Sequence, residues 1–276
     1  MLTPTADIVD TAKKSGRGVG AFNVIQLEHA EAIVAGAEAA GAPVVLQISE
    51  NAVRYHGSLE PLGRATLAVA GASSAQVAVH LDHATDVSLV RQAVQLGFGS
   101  VMYDASVMSY ADNVAATAAV VRECHEHGVY VEAELGEVGG KDGVHAPGVR
   151  TDPAEAAEYV GATGIDALAV AVGTSHAMLT RDATVDFGLV ERLAAAVPAP
   201  LVLHGSSGVP DEHLRRAVAA GMTKVNIATQ LNKAFTAAVR DFLAADPSVV
   251  DTRKYLGAGR DAVAEEVARL LRILVG

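Results

Sequence analysis

Three histidines of this 276-residue chain each stand just past the end of an apolar run. His83 closes Val77-Ala78-Val79-His80-Leu81-Asp82-His83-Ala84, with Asp82 directly before it. His176 comes after the run 167–173, and His204 follows Leu201-Val202-Leu203 and leads into Gly205-Ser206-Ser207-Gly208. If these runs are parallel neighbours in one sheet, the three imidazoles meet at one rim. Three imidazole donors with a position left open make a zinc site of catalytic type. A lone strand-end histidine is more often a hydrogen-bonded structural residue. Three on aligned ends beside an acid reverse that reading. Asp82 is placed for proton transfer, its plainer role being to orient a histidine.

Other groups gather at the same ends. Glu132 and Glu134 alternate in Val131-Glu132-Ala133-Glu134-Leu135, so both point to one face. Two carboxylates facing a barrel interior repel unless a cation or basic partner lies near them. With Asp104 they form either a second cation site or an ion-pair network. Gly205 to Gly208 and Asn226-Ile227-Ala228-Thr229 follow the last two strand-like runs, where many barrels bind phosphate with N–H and O–H donors. The Gly-rich stretch 137–152 reads as a lid over the site. His80 is expected to partner the site from below. His29, His125, His127 and His213 lie in helical stretches and are expected to be surface or packing residues. The six lysines are Lys13, Lys14, Lys141, Lys224, Lys233 and Lys254, and none stands at the C-terminal end of a strand. Lys224 begins the eighth run, at the wrong face. A Schiff-base mechanism therefore lacks its nucleophile, and carbonyl chemistry here calls for a metal.

These groups need a scaffold that brings strand ends together. Eight strand-like runs are expected at 18–24, 43–49, 77–83, 100–105, 129–135, 167–173, 201–204 and 224–228. Helical, Ala-rich stretches alternate with them at 27–40, 60–75, 87–96, 111–127, 153–163, 187–196 and 211–220. Glycines close several, as helix ends favour. Strand-helix alternation with apolar, β-branched strands predicts a (β/α)8 TIM barrel over an open sheet. Extra helices are expected at both ends: one over 3–15, then 231–244 and, after a linker, 261–274. Active sites of such barrels lie at the C-terminal strand ends. The polar residues obey that rule on all eight runs.

Composition bounds the rest. Half of the residues are hydrophobic and 4% are aromatic, which suits one domain over 1–276 packed from Ala, Val and Leu. Cys124 is the single cysteine, so no intrachain disulfide forms. A reducing compartment, the cytoplasm, is the expectation. The net charge of -11 with no basic stripe argues against nucleic acid. No apolar run approaches the roughly 18 residues of a membrane helix, so no membrane association is expected.

The residues also resemble a known family. Ala21-Phe22-Asn23, His80-Leu81-Asp82-His83, Ser100 to Ser106, Val131 to Gly136, Gly139-Gly140, Gly173-Thr174-Ser175-His176, Leu203 to Gly208, Lys224 to Thr229 and Arg253-Lys254-Tyr255-Leu256 are similar to the class II, zinc-dependent ketose-bisphosphate aldolases. These segments span nearly the whole chain. The resemblance implies reversible cleavage of fructose- or tagatose-1,6-bisphosphate to dihydroxyacetone phosphate and glyceraldehyde 3-phosphate through an enediolate that zinc stabilises. It implies Zn2+ on His83, His176 and His204, and Asp82 as proton donor and acceptor at the C4 oxygen. It implies a second divalent ion at Asp104 and Glu134, and a monovalent cation, Na+ or K+, near the phosphate loops. Gly205, Ser206, Ser207, Asn226, Ile227, Ala228 and Thr229 match the binders of the dihydroxyacetone phosphate half. Asn23 and Ser49 match substrate contacts, and Arg253 matches a residue that reaches the other phosphate from a neighbouring subunit, so a homodimer or homotetramer is expected. The chain departs from the family's pattern at three places. Ala177 stands where relatives carry glycine, with its backbone left to bind substrate. Lys141-Asp142-Gly143 replaces an acidic pair, leaving Asp142 as the catalytic acid of the lid. Ala228 replaces Asp or Asn, a tagatose-type feature. The alternatives are an aldolase for another phosphorylated sugar or deoxy-sugar acid, and a non-catalytic sugar-phosphate-binding barrel.

Overall fold

The computed structural model describes residues 1–135, 150–174 and 180–276. Eight strands form a closed barrel: β1 Val19–Asn23, β2 Val44–Ser49, β3 Val77–Ala84, β4 Ser100–Tyr103, β5 Tyr130–Glu134, β6 Ala167–Ala169, β7 Leu201–Leu203 and β8 Met222–Ile227. Each pairs in parallel with the next, and β8 pairs with β1 to close the ring. The helices are α1 Thr5–Ser15, α2 Leu27–Ala40, α3 Glu50–His56, α4 Glu60–Ala72, α5 Val87–Leu96, α6 Tyr110–Glu126, α7 Pro153–Thr163, α8 Phe187–Ala196, α9 Asp211–Ala219, α10 Thr229–Ala245 and α11 Thr252–Val275. The expected (β/α)8 TIM barrel is thus the fold. Among the described residues no helix is long and apolar enough to cross a membrane.

The period of two along each strand sorts its residues onto two faces. Val44, Leu46, Ile48, Val77, Val79, Leu81, Leu201, Leu203, Val225 and Ile227 belong to the main core, between sheet and helices. The intervening rows face the barrel axis, and they change character along it. At the N-terminal end they are small or apolar: Val19, Ala21, Val45 and Ala78 pack with Ile8 and Ala12 of α1. Met102, Tyr130, Ala167, Ala169 and Val202 pack with Val9. The amphipathic α1 therefore stoppers the bottom of the barrel. Further up, the same rows carry Gln47, His80, Glu132 and Lys224, then Asp82, Glu134 and Asn226, all buried.

Two helices depart from the sequence expectation. α3 occupies a stretch with no helical period, being seven residues long. It forms because Ser49 Oγ accepts the Ala52 N–H at 3.2 Å and caps it. α11 starts at Thr252 rather than near 261. Gly257 and Gly259 look like helix breakers in sequence. Gly259 instead lets α11 cross α10 closely, since a Cβ there would lie 2.7 Å from the Phe235 ring. Gly36 does the same between α2 and α11: its Cβ would meet the Ala264 carbonyl at 2.6 Å and Val267 at 2.7 Å.

This close crossing gives a stability test. Gly36→Ala should destabilise the protein by about 1–3 kcal/mol through overpacking. Gly161, inside α7 with nothing within 4 Å of its would-be Cβ, should behave oppositely. Gly161→Ala should stabilise by about 0.5–1 kcal/mol, because alanine loses less backbone freedom on folding. Denaturant midpoints of the two variants should shift in opposite directions.

Candidate active site

A regular strand would send Asp82 and His83 to opposite faces. Both line the same cavity. The register of β3 against β4 breaks between Leu81 and Ala84. His83 stands in the break with φ 50, in the left-handed region. A residue other than glycine held there costs on the order of 1–3 kcal/mol. The turn brings two sequence neighbours to one site.

The cavity has a volume of about 450 Å³ and opens at the C-terminal end of the barrel. Its floor is Asp82, His83, His204 and Asn226. The β7 and β8 loops contribute Gly205, Ser207, Ala228 and Thr229; β1 and β2 contribute Asn23, Gln47 and Ser49; the α3 side contributes Asn51, Ala52 and Tyr55.

The two histidine rings are each anchored on the side away from the other. His83 Nδ1 donates to Asp104 Oδ2 at 3.0 Å. His204 Nε2 donates to Glu132 Oε1 at 2.9 Å. Those carboxylates assign the tautomers. The remaining nitrogens, His83 Nε2 and His204 Nδ1, face each other at 2.9 Å. As neutral rings they would oppose two lone pairs, so the arrangement asks for positive charge between them. The surrounding acids ask for it too. Burial alone would lower the His83 pKa, but Asp82, Asp104 and Glu134 push it up to about 9. A site that favours a proton this strongly also suits a metal cation. The ligand atoms of Asp82, His83 and His204 lie within 4.8 Å of one another, as do those of His83, Asp104 and Glu134.

Glu132 is itself held from below. Lys224 Nζ donates to its other oxygen, Oε2, at 2.7 Å, and both side chains are 1% exposed. Burial would raise the Glu132 pKa, yet Lys224 and His204 hold it well below the usual carboxylate range. Lys224 therefore does not stand at the wrong face, as the sequence implied. β8 begins two residues earlier than expected, and Lys224 points inward, beneath the site. His80, beside them, is pushed down to about 3, first by burial and then by Lys224. It is a neutral neighbour whose Nδ1 lies 2.8 Å from Ser100 Oγ.

Asp82 is 3% exposed. Burial would raise its pKa, but His83, His204 and Lys224 bring it below the ordinary aspartate value, which keeps it a base. Gln47 Nε2 reaches Oδ2 at 3.4 Å, and Asn226 Nδ2 lies 3.5 Å from Oδ1. Gln47 also donates to Asn23 Oδ1 at 2.7 Å. Gln47 was missed in the sequence, where its signal is a single polar residue in the apolar run of β2. Among the described residues Gln47 Oε1 and Asn226 Oδ1 have no hydrogen-bond partner. Both side chains line the cavity, with these two oxygens buried behind its surface.

The expected phosphate loops are stitched together. Ser207 Oγ accepts the N–H groups of Ala228 and Gln230, each at 3.3 Å. Ser206 and Ile227 do not line the cavity. The Ser206 hydroxyl donates to the Asn226 carbonyl, and Ile227 is buried against the helices. Arg253 is outside the cavity of its own chain, its side chain 89% exposed and paired with Asp251 at 2.8 Å. Asp142, His176 and Ala177 lie outside the described residues.

The profile of the family described as "Fructose-bisphosphate aldolase class-II" matches residues 3–275. The chain is 40% identical over 275 residues to a fructose-bisphosphate aldolase of Geobacillus stearothermophilus, covering 98% of this chain and 96% of the relative. A probable fructose-bisphosphate aldolase of Bacillus subtilis matches equally, at 40% over 275 residues and the same coverage. Among solved structures, the YdjI aldolase of Escherichia coli K12 superposes with a TM-score of 0.88 at 30% identity, covering 99% of this chain and 97% of that one.

The buried Lys224–Glu132 pair yields a test that needs no assay of activity. Lys224→Met leaves a buried carboxylate uncompensated and should cost about 3–5 kcal/mol. Adding Glu132→Gln, which removes that charge, should recover part of the loss in the same denaturation measurement.

Proposed function

The chain belongs to the class-II fructose-bisphosphate aldolase family, so it is an aldolase and a lyase, and on that premise we propose how its own residues perform the cleavage. The proposed substrate is fructose 1,6-bisphosphate, cleaved reversibly between C3 and C4 to dihydroxyacetone phosphate and glyceraldehyde 3-phosphate. The observation that carries the proposal is the pair of carboxylate-anchored imidazoles facing each other beside Asp82.

The metal proposed is zinc, which fits imidazole donors. His83 and His204 would hold it with His176, the third histidine of the sequence pattern. A bound zinc ion supplies Lewis-acid stabilisation of the charge that develops on the C2 oxygen during cleavage. Asp82, kept ionised by its neighbours, takes the proton of the C4 hydroxyl as the C3–C4 bond breaks and the C4 oxygen becomes a carbonyl. The bonding electrons pass toward C2, and C3 then gains a proton, for which Asp142 is the proposed donor. Gln47 and Asn226 orient Asp82 through their amide N–H groups. The Gly205 to Ser207 loop and the segment from Asn226 to Thr229 would take the phosphate of the dihydroxyacetone half, Ser206 through its backbone N–H. Asn23 and Ser49 bound the sugar from the other side. Asp104 orients His83, and Asp104 with Glu134 is the proposed place of a second divalent ion; a monovalent cation is proposed near the phosphate loops. Arg253 is proposed to serve the cavity of a neighbouring copy in a homodimer or homotetramer. The cytoplasm is the proposed compartment.

Asp82→Ala should keep its zinc and lose about 10²- to 10⁴-fold in kcat. A wild-type rate in that variant would remove Asp82 from the mechanism. His204→Ala should lose both bound metal and turnover. Triose phosphate release from fructose 1,6-bisphosphate should stop with EDTA and return with zinc. The C4 epimer, tagatose 1,6-bisphosphate, assayed in parallel, reads the sugar preference.

A further inference from the structure

The left-handed turn at His83 is the strained point of the site, and something must hold the chain on its far side. Ala84 is held by β4, its carbonyl accepting the Asp104 N–H at 2.8 Å. Thr85 is held by α3. Its N–H donates to Glu50 Oε2 at 2.6 Å, and its hydroxyl lies 3.0 and 3.1 Å from the two Glu50 oxygens. Glu50 is the first residue of α3 and is 9% exposed. Arg54, one turn along α3, donates to Glu50 Oε1 and fixes that carboxylate in place. One buried acid thus gathers both donors of Thr85, two residues beyond His83.

We propose that Glu50 is a positioning residue: its carboxylate clasps Thr85 and so maintains the turn that presents His83 and Asp82 to the same cavity. The proposal rests on the reading of His83 as a metal ligand. Without the clasp the chain after His83 can relax toward a regular strand. Period-two alternation would then withdraw the His83 ring from His204. The fold needs no such turn, since β3 already pairs with β2 along six registered positions, from Val44↔Val77 to Ser49↔Asp82. The turn serves the site. Because α3 also contributes Asn51, Ala52 and Tyr55 to the cavity wall, the same helix sets both the wall and the ligand.

The test measures zinc affinity by chelator competition, and the visible absorption of the cobalt-substituted protein, for Glu50→Ala, Glu50→Gln, Thr85→Val, Thr85→Ser and His83→Ala. Circular dichroism and unfolding midpoints are recorded alongside. Glu50→Ala should bind zinc about 10- to 100-fold more weakly, the range found when a ligand's supporting partner is removed. Its cobalt bands should shift in position and intensity. Glu50→Gln keeps an acceptor oxygen and should recover most of the affinity. Thr85→Val should weaken zinc binding and Thr85→Ser restore it. If Glu50→Ala does not fold, the solvent-facing Thr85 pair decides alone. Wild-type affinity and an unchanged cobalt spectrum in Glu50→Ala or in Thr85→Val, with His83→Ala losing the metal, would overturn the clasp. Wild-type affinity in His83→Ala would overturn the ligand reading, and the clasp with it.

Discussion

The Glu132 carboxylate stands between two partners, with Lys224 below it and His204 above. Each of its oxygens serves one of them. A carboxylate this deeply buried stays ionised only beside a cation, and Lys224 is that cation. Held ionised, Glu132 can only accept, so it must take the N–H of His204 Nε2. That assigns the ring's proton to Nε2 and turns the unprotonated Nδ1 toward His83. The direction of donation at the floor of the cavity is therefore set by a charge pair in the barrel's interior. The His204 ring cannot be rotated or retautomerised without disturbing that pair.

The second constraint is geometrical. Barrel strands deliver one residue in two to the axis, which limits what each strand can contribute. β3 escapes that limit at His83 through a broken register and a left-handed backbone. The gain is an acid and an imidazole on consecutive residues in one cavity. Asp82 can then draw its charge state from the ring next to it in sequence as well as from His204 and Lys224 across the barrel.

Much of this was legible in the sequence. Strand runs ending in Asp82-His83 and His204 named the floor of the cavity, because polar residues at the ends of apolar runs are few and conspicuous. The barrel followed from the alternation of strand and helix. Lys224 was misread because burial of a lysine depends on a partner from another strand, and β5 is 92 residues away from it in the chain. Gln47 was passed over because one amide inside an apolar strand carries no periodic signal. α3 was missed because seven residues are too few for one, and α11 was cut short because glycines that serve close packing look like glycines that end helices. Ser206 looked like a binder by its loop, but its hydroxyl is committed to the Asn226 carbonyl.

Below the floor of the cavity the barrel is filled, first by Gln47, His80, Glu132 and Lys224 and then by the apolar layers that α1 packs against. Ile8, Val9 and Ala12 are buried where the far end would open. Whatever enters between the strand ends must leave by the same route. A reaction that makes two molecules from one in such a well must release both through the mouth by which their parent entered. Run in the joining direction, both must come in by that mouth. The rim of strand ends is thus both entrance and exit, and the packed barrel beneath it is what makes it so.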